Sequence, residues 1–155
     1  MANINIVCIG KLKEKYFAEA QAEYIKRLSA FCRVSVIEKK EVSLPKDASI
    51  ALTDKAIEEE SASVLESAKG TLIALSPDGV KMDSQKFAAL IKSSIESGDI
   101  TFAVGGSNGL GSSLKRKAKV ISFSDMTFPH QLFRIILLEQ VYRAFMITEG
   151  RTYHK

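Results

Sequence analysis

Four glycines lie within seven residues in the stretch "TFAVGGSNGLGSSLKRKAK", which runs from Thr101 to Lys119. The stretch begins as an apolar strand and continues as a basic helix, the arrangement in which many proteins hold a phosphate. Glycine lacks a side chain, so the backbone can approach a ligand closely, whereas one tight turn needs fewer glycines. The pattern favours a ligand-binding loop, and a turn that only joins a strand to a helix is the alternative.

The spacing of these glycines disfavours two common nucleotide sites. The dinucleotide fingerprint G-x-G-x-x-G is not matched within Gly105–Gly111. Gly106 and Gly111 have the separation of a P-loop, but Ser112 stands where the phosphate-binding lysine must be. A Rossmann nicotinamide site and a nucleoside triphosphatase are therefore both unexpected.

A second candidate loop is "SFSDMTFPHQLFR", which places small polar residues at the start of a helix. Pro129 suits a first helical turn because proline lacks an N–H that would have no partner there. His130 is either a helix-start residue or a side chain that faces a pocket or an RNA phosphate. This loop is therefore the second half of a possible binding site.

Strand and helix patterns alternate along the chain and must position these loops. Apolar or alternating runs predict strands over 3–9, 33–42, 71–76, 100–106 and 119–124. Helical spacing predicts helices over 15–31, 85–97 and 129–147, a short one after the glycines, and a long acidic, solvent-facing one within 45–69. "PDG" predicts a turn that ends the third strand.

This alternation predicts an α/β fold in which a mainly parallel sheet is flanked by helices, in a single domain covering 1–155. Ligands of such sheets sit beyond the carboxyl ends of the strands. Three loops should meet there: the one after Leu75, Gly105–Gly111 and Ser124–Pro129.

Charged residues are unevenly distributed along the sequence. Residues 1–114 carry 14 Lys and Arg against 15 Asp and Glu, a net charge of −1, whereas residues 115–155 carry 8 against 3, a net charge of +5. The C-terminal quarter is therefore the expected anion-facing part.

No secretory signal or membrane-spanning run is recognisable, so we expect a cytoplasmic protein with no membrane partner. Cys8 and Cys32 are expected to be buried, reduced thiols rather than metal ligands.

The last helix is apolar over most of its circumference, from Leu132 to Ile147. A helix of this kind is buried on more than one side. In so small a domain the second face is expected to meet a partner, most simply in a symmetric homodimer. The alternative is a helix that its neighbours bury within a monomer.

Taken together, "AVGGSNGLG", "FSDMTFPHQLFRIILLEQVYRAFMI" and the terminal "YHK" resemble the bacterial ribosomal RNA large-subunit methyltransferase H family. This is a minimal group within the SPOUT, or α/β-knot, class, and the resemblance covers essentially the whole chain. It implies a C-terminal trefoil knot, which few folds contain, and a homodimer. It also implies that S-adenosylmethionine serves as cofactor and that the target is N3 of a pseudouridine in a hairpin loop of 23S ribosomal RNA, within the assembled ribosome.

The resemblance carries roles to particular positions. It implies cofactor contacts at Leu75, Gly106, Ser124, Asp125, Met126, Thr127, Phe128 and Pro129. Arg143, Tyr153 and His154 are the candidates for catalysis, as groups that position RNA and neutralise charge, and His154 could accept a proton. The alternative for Arg143 is a purely structural ion pair with Glu139, one helical turn earlier. No metal is required, because the sulfonium methyl is already activated.

The basic residues of the last quarter are the expected phosphate contacts, and for each one a merely solvated position is the alternative. They are Lys115, Arg116, Lys117, Lys119, Arg134, Arg151 and Lys155. Two other functions share many of these features. A non-enzymatic RNA-binding protein would not need the glycine loop, and a SPOUT enzyme acting on transfer RNA would differ only in its substrate.

Overall fold

The computed structural model describes residues 1–155, in which five strands alternate with five helices. The strands are Ala2–Ile9 (β1), Cys32–Lys39 (β2), Thr71–Lys81 (β3), Ile100–Val104 (β4) and Lys119–Ser122 (β5). The helices are Lys15–Leu28 (α1), Ile50–Glu66 (α2), Ser84–Glu96 (α3), Ser112–Lys117 (α4) and His130–Thr148 (α5). The predicted strand-and-helix alternation is confirmed.

The five strands form one sheet in the order β2-β1-β4-β3-β5, and every neighbouring pair is parallel. Alternate residues along β1 face opposite sides, as a pleated strand requires. Ile4 and Ile6 pack with α1, α3 and α5, whereas Val7 and Ile9 pack with α2 and α4. The carboxyl ends of all five strands therefore lie along one edge of a sheet that helices cover on both faces.

The predicted turn at "PDG" is wrong, because β3 continues through it to Lys81. Its pairing with β5 shifts register between Leu75 and Val80. Gly79 makes this possible: a Cβ there would lie 2.6 Å from the backbone nitrogen of Ile121 in β5. Pro77 and Gly79 thus mark a bulge, the usual meaning of such residues inside a strand. The bulge projects at the carboxyl edge of the sheet.

Helix α5 lies between α1 and α3 and covers the centre of the sheet. Leu137, Leu138 and Val141 are buried there, so neighbours within the chain cover much of its apolar surface. Leu132 remains 36% exposed, and Ile136 is only partly buried. Some of the all-round apolar character of α5 is therefore left uncovered near its first turns.

Both cysteines are free and buried, as predicted. Burial raises the pKa of the Cys8 thiol to about 11 and that of Cys32 to about 12. Each therefore stays a protonated, apolar-packing side chain. None of the helices is both long enough and apolar enough to cross a membrane.

Candidate active site

A cavity of about 810 Å³ opens at the carboxyl edge of the sheet. Three chain segments form its walls: the β3 bulge, the glycine loop between β4 and α4, and the loop between β5 and α5. Its lining residues include Leu75–Asp78, Val104–Leu110, Lys115, Ser122–Ser124, Met126–His130 and Phe133. This volume suits a small-molecule ligand, and the three segments are those expected to meet.

Within the glycine loop, the chain approaches itself closely. Gly109 has φ +80°, and its N–H donates to the carbonyl of Gly106 at 3.1 Å. A Cβ on Gly105 would lie 2.7 Å from the carbonyl carbon of Gly109, and one on Gly106 would lie 3.1 Å from Cγ2 of Ile9. Turn geometry and packing thus account for part of the glycine excess, and they leave the bare backbone of Gly106 on the cavity wall.

Helix α2 fixes the far end of the glycine loop. The fully buried Ser61 hydroxyl accepts the N–H of Gly111 at 2.8 Å. Glu58 accepts the hydroxyl of Ser113, and this hydrogen bond is the main reason that the pKa of Glu58 is lowered. The solvent-facing helix predicted here is therefore wrong for one side of α2, where Glu60 and Ser61 are buried. A serine in an acidic helix gave no sequence signal of this contact.

One wall of the cavity is charged. Lys115 Nζ lies 3.2 Å from the carboxylate of Asp78, which also accepts the hydroxyl of Ser76. The Ser76 hydrogen bond first, and then Lys115, lower the pKa of Asp78. The bulge and the basic helix α4 are thereby linked across the cavity mouth. Lys115, predicted as a phosphate contact, is already paired here.

The loop between β5 and α5 is held by its own serines. Ser122 donates its hydroxyl to the Ser124 carbonyl at 3.0 Å, and the Ser124 hydroxyl accepts the N–H of Met126 at 3.0 Å. Seven of the eight predicted cofactor positions line the cavity: Leu75, Gly106, Ser124, Met126, Thr127, Phe128 and Pro129. Asp125 does not line it, and its carboxylate lies 2.5 Å from Nζ of Lys81.

Aromatic rings form the apolar side of the same cavity. Phe123 and Phe133 have ring centroids 5.4 Å apart, and Phe128 and Phe133 have theirs 6.3 Å apart. His130, the first residue of α5, also lines the cavity. His130 is therefore more than a helix-start residue, because its side chain also faces the pocket.

The predicted catalytic residues come together away from this cavity. Arg143 Nη1 lies 3.1 Å from Nδ1 of His154, and its guanidinium carbon lies 4.8 Å from the ring centroid of Tyr153. The alternative ion pair also exists, with Nε of Arg143 2.8 Å from Glu139. Arg143 follows His130 by thirteen residues of α5, which is about 20 Å along a helix axis. None of the three residues lines the cavity of its own chain.

One predicted phosphate contact is wrong. Arg134 is 1% exposed and lies 2.6 Å from Glu38, so it has no access to RNA. The remaining basic residues are exposed: Arg116, Lys117, Lys119, Arg151 and Lys155. The structure contains no group of three or more His, Cys, Asp or Glu side chains that could hold a metal ion.

Comparison with known proteins places this geometry in a family. The family model described as "Predicted SPOUT methyltransferase" matches residues 2–154. The chain belongs to the SPOUT methyltransferase family. It is 45% identical to the ribosomal RNA large subunit methyltransferase H of Streptococcus uberis, over 98% of this chain and 99% of that protein. The proteins of that name from Levilactobacillus brevis and Pelotomaculum thermopropionicum are 48% and 46% identical, each over 99% of both chains.

As a SPOUT methyltransferase, the chain is an enzyme, and the resemblance seen in its two loops is confirmed. The cavity lies where those two loops meet, at the carboxyl edge of the parallel sheet. In a SPOUT methyltransferase, this cavity is the candidate active site.

Proposed function

We propose that this enzyme transfers the methyl group of S-adenosylmethionine to N3 of a pseudouridine in a hairpin loop of 23S ribosomal RNA, within the assembled ribosome. The observation that carries this proposal is the convergence of seven predicted cofactor positions on one cavity. Full-length similarity to ribosomal RNA large subunit methyltransferases H supports the choice of substrate. A ribosomal substrate also implies that the enzyme works in the cytoplasm.

The residues present fit a cofactor of this kind. The cavity of about 810 Å³ has room for a nucleoside joined to an amino acid. Leu75 and Phe128 would offer apolar contacts to the adenine, and the backbone of Gly106 and its neighbours would offer hydrogen bonds to polar atoms. A Cβ on Gly106 would lie 3.1 Å from Cγ2 of Ile9 and 3.7 Å from Oε1 of Glu41, so a larger side chain would displace the loop backbone that lines the cavity. Bare backbone is therefore a requirement of this wall.

The bound cofactor would supply a methyl group that is already activated for displacement. The protein must align donor and acceptor and keep water out. The loop serines and the β3 bulge hold the walls of the cavity in place. The acceptor nitrogen carries a proton that must leave, and an uncharged imide is a poor nucleophile. His130 in the cavity and His154 in the tail are the groups placed to accept that proton, and Arg143 would neutralise the developing negative charge.

We infer that the active site is composite, formed across a homodimer. The cluster of Arg143, Tyr153 and His154 lies about 20 Å along α5 from the start of that helix. It therefore cannot reach the cavity of its own chain. Uncovered apolar side chains surround the cavity, with Met126 74% and Val80 69% exposed. A partner covering this surface would bring its own Arg143, Tyr153 and His154 to the cavity.

The C-terminal trefoil knot also belongs to this proposal. Helix α4 packs with α2 on one face of the sheet, edge strand β5 follows, and α5 packs on the other face. The chain between β5 and α5 crosses the carboxyl edge beside the glycine loop and the β3 bulge. Such a crossing beside two other loops is what threading through a knot requires.

Methyl transfer from radiolabelled S-adenosylmethionine tests the function directly. Acceptors are assembled ribosomes, separated subunits, protein-free ribosomal RNA and transfer RNA, all from cells that lack this enzyme. We expect label in the large-subunit RNA of assembled ribosomes, and its loss in Gly106→Trp. Ala89→Trp, at an exposed position of α3, is the matched control for adding an indole. Label in transfer RNA alone would keep the enzyme class and overturn the proposed substrate.

A further inference from the structure

We propose that Lys11–Tyr16, here called the rim segment, binds the substrate RNA beside the cavity, with its lysines on phosphates and Tyr16 stacked on a base. This inference rests on the proposed function for taking RNA as the substrate. It assigns a second contact surface, far along the sequence from the basic C-terminal quarter. The segment joins β1 to α1.

The rim segment lies at the cavity mouth. It follows Gly10, at the carboxyl end of β1, and parallel strands place this end beside the glycine loop. A Cβ on Gly10 would lie 3.9 Å from Nε2 of His130, which lines the cavity. The N–H of Lys13 donates to Oε1 of Gln131, the next residue of α5, at 2.9 Å. RNA with a base at the cavity would pass over this segment.

Side chains of β2 and α5 fix the backbone of the rim segment. The N–H of Leu12 donates to Glu38 at 3.2 Å, and Arg134 holds the same carboxylate at 2.6 Å. Arg134 also donates to the carbonyl of Gly10 at 3.1 Å, where the chain turns with φ +93°. The loop is thus anchored through side chains of β2 and α5. A fixed backbone reduces the ordering cost when its side chains bind a partner.

Four of the five exposed side chains of the rim segment have the chemistry that binds nucleic acid, and the fifth is the acidic Glu14. Lys11 and Lys13 are exposed and make no ion pair within 4.0 Å. Lys15 lies 3.8 Å from Glu19, but both are well exposed, so this pair holds the lysine weakly. Tyr16 is 63% exposed and touches Phe17 with its edge, at a centroid distance of 4.6 Å. Lysines bind phosphates, and an exposed ring stacks on an unpaired base.

Binding of assembled ribosomes from cells that lack this enzyme, measured at several salt concentrations, tests the lysines. Lys11→Ala with Lys13→Ala should reduce the salt slope of log K by about 1.4–1.8, since each phosphate contact contributes roughly 0.7–0.9. The matched control is Lys55→Ala with Lys92→Ala, two exposed lysines that do not line the cavity. This control should change the slope much less. Affinity for S-adenosylmethionine should be unchanged in both.

Single substitutions test the stacking residue in the same assay. Tyr16→Ala should weaken RNA binding roughly 5- to 100-fold, whereas Tyr16→Phe, which keeps the ring, should stay within about twofold of wild type. Equal salt slopes in the two lysine double variants, or equal affinity in Tyr16→Ala and wild type, would overturn the proposal while wild type still methylates RNA. A wild-type chain that neither binds nor methylates RNA would overturn the proposed function as well.

Discussion

Arg134 and Gly106 show how single residues set the shape of the candidate site. Arg134 is the largest fully buried side chain, and it joins β2, the end of β1 and α5 through Glu38 and the carbonyl of Gly10. Gly106 instead has no room for a side chain, because a Cβ there would lie 3.1 Å from Cγ2 of Ile9. Arg134 holds the edge of the sheet together beside the cavity, and Gly106 lets the glycine loop lie close to β1.

Removing the charge of Arg134 should destabilise the fold. Arg134→Met leaves the Glu38 carboxylate and the Gly10 carbonyl without their partner. Because the Glu38 side chain is 35% exposed, we expect the free energy of unfolding to fall by about 2–4 kcal/mol, somewhat less than the roughly 3–5 kcal/mol for a fully buried pair. Urea denaturation followed by circular dichroism measures this loss. Glu38→Gln keeps an acceptor and should cost less; equal stability of wild type and Arg134→Met would contradict the assigned role.

The residue types of the two loops could be recognised from sequence, but the partners of individual charges could not. The four glycines and Pro129 identified the two loops because the local backbone conformation favours these residue types there. Arg134 and Asp125 looked like a phosphate contact and a cofactor contact, yet their partners Glu38 and Lys81 lie 96 and 44 residues away. Which charge is buried or paired depends on tertiary contacts that spacing does not encode.

At the scale of elements, α2 supports the cavity without lining it. Ser61 and Glu58 bind the backbone and side chain at the end of the glycine loop, and Leu110 and Leu114 pack with Val64 of α2. The loop thus takes its position from a helix on the face opposite α5. Cofactor binding should depend on this support.

Removing the Ser61 hydroxyl should weaken cofactor binding. Ser61→Ala leaves the buried N–H of Gly111 unpaired, which costs about 1–3 kcal/mol, and we expect the Kd for S-adenosylmethionine to rise roughly tenfold. Isothermal titration calorimetry measures it. Ser94→Ala is the matched control, because Ser94 is a buried serine of α3 with no contact to the loop. A Kd that changes equally in both variants would show that Ser61 does not position the loop.

The β3 bulge depends on Gly79. In Gly79→Ala, the new methyl group would meet the Ile121 backbone at 2.6–2.7 Å, so β5 must move, at an expected cost of about 1–3 kcal/mol. In hydrogen-exchange measurements, the amide exchange rates of β5 should rise above those of wild type by more than the rates of β1 do. Pro77→Ala, at an exposed position of the same bulge, should have little effect on it. Unchanged protection of β5 in Gly79→Ala would contradict the close approach of the two strands.

Element types were predictable because strand and helix periodicities are local properties. The end of β3 was not, since "PDG" is a turn signal in isolation and becomes a bulge only when β5 is available beside it. The buried side of α2 was hidden for a related reason: Glu60 is buried because it accepts the N–H of Val42 at 2.9 Å.

For the whole molecule, the parallel sheet class followed from the alternation of elements, but the strand order could not be read from it. The proposed knot depends on how the chain threads, and the proposed homodimer depends on how two chains associate. The periodicity of apolar residues predicts neither. The knot and the homodimer decide whether the cluster of Arg143, Tyr153 and His154 can reach a cavity about 20 Å away along α5. Subunit mixing tests this point.

Mixed dimers should recover activity if the site is shared. Gly106→Trp should displace the cavity wall, because an indole has no room beside Ile9, and a chain truncated after Gly150 lacks the tail, so each should be inactive alone. After the two are refolded together in equal amounts, half of the dimers are mixed and each has one intact site, which predicts about one quarter of wild-type activity in a symmetric dimer. No recovery, with mixed dimers shown to form by mass spectrometry, would contradict a composite site.

Mapping the methylated nucleotide tests the proposed reaction and its substrate together. Ribosomes from cells lacking this enzyme would be incubated with it and S-adenosylmethionine, and their RNA digested and analysed by mass spectrometry. We expect one new N3-methylpseudouridine in a hairpin loop of 23S ribosomal RNA, absent with Gly106→Trp. A methyl group on any other nucleotide, or on transfer RNA alone, would contradict the proposal.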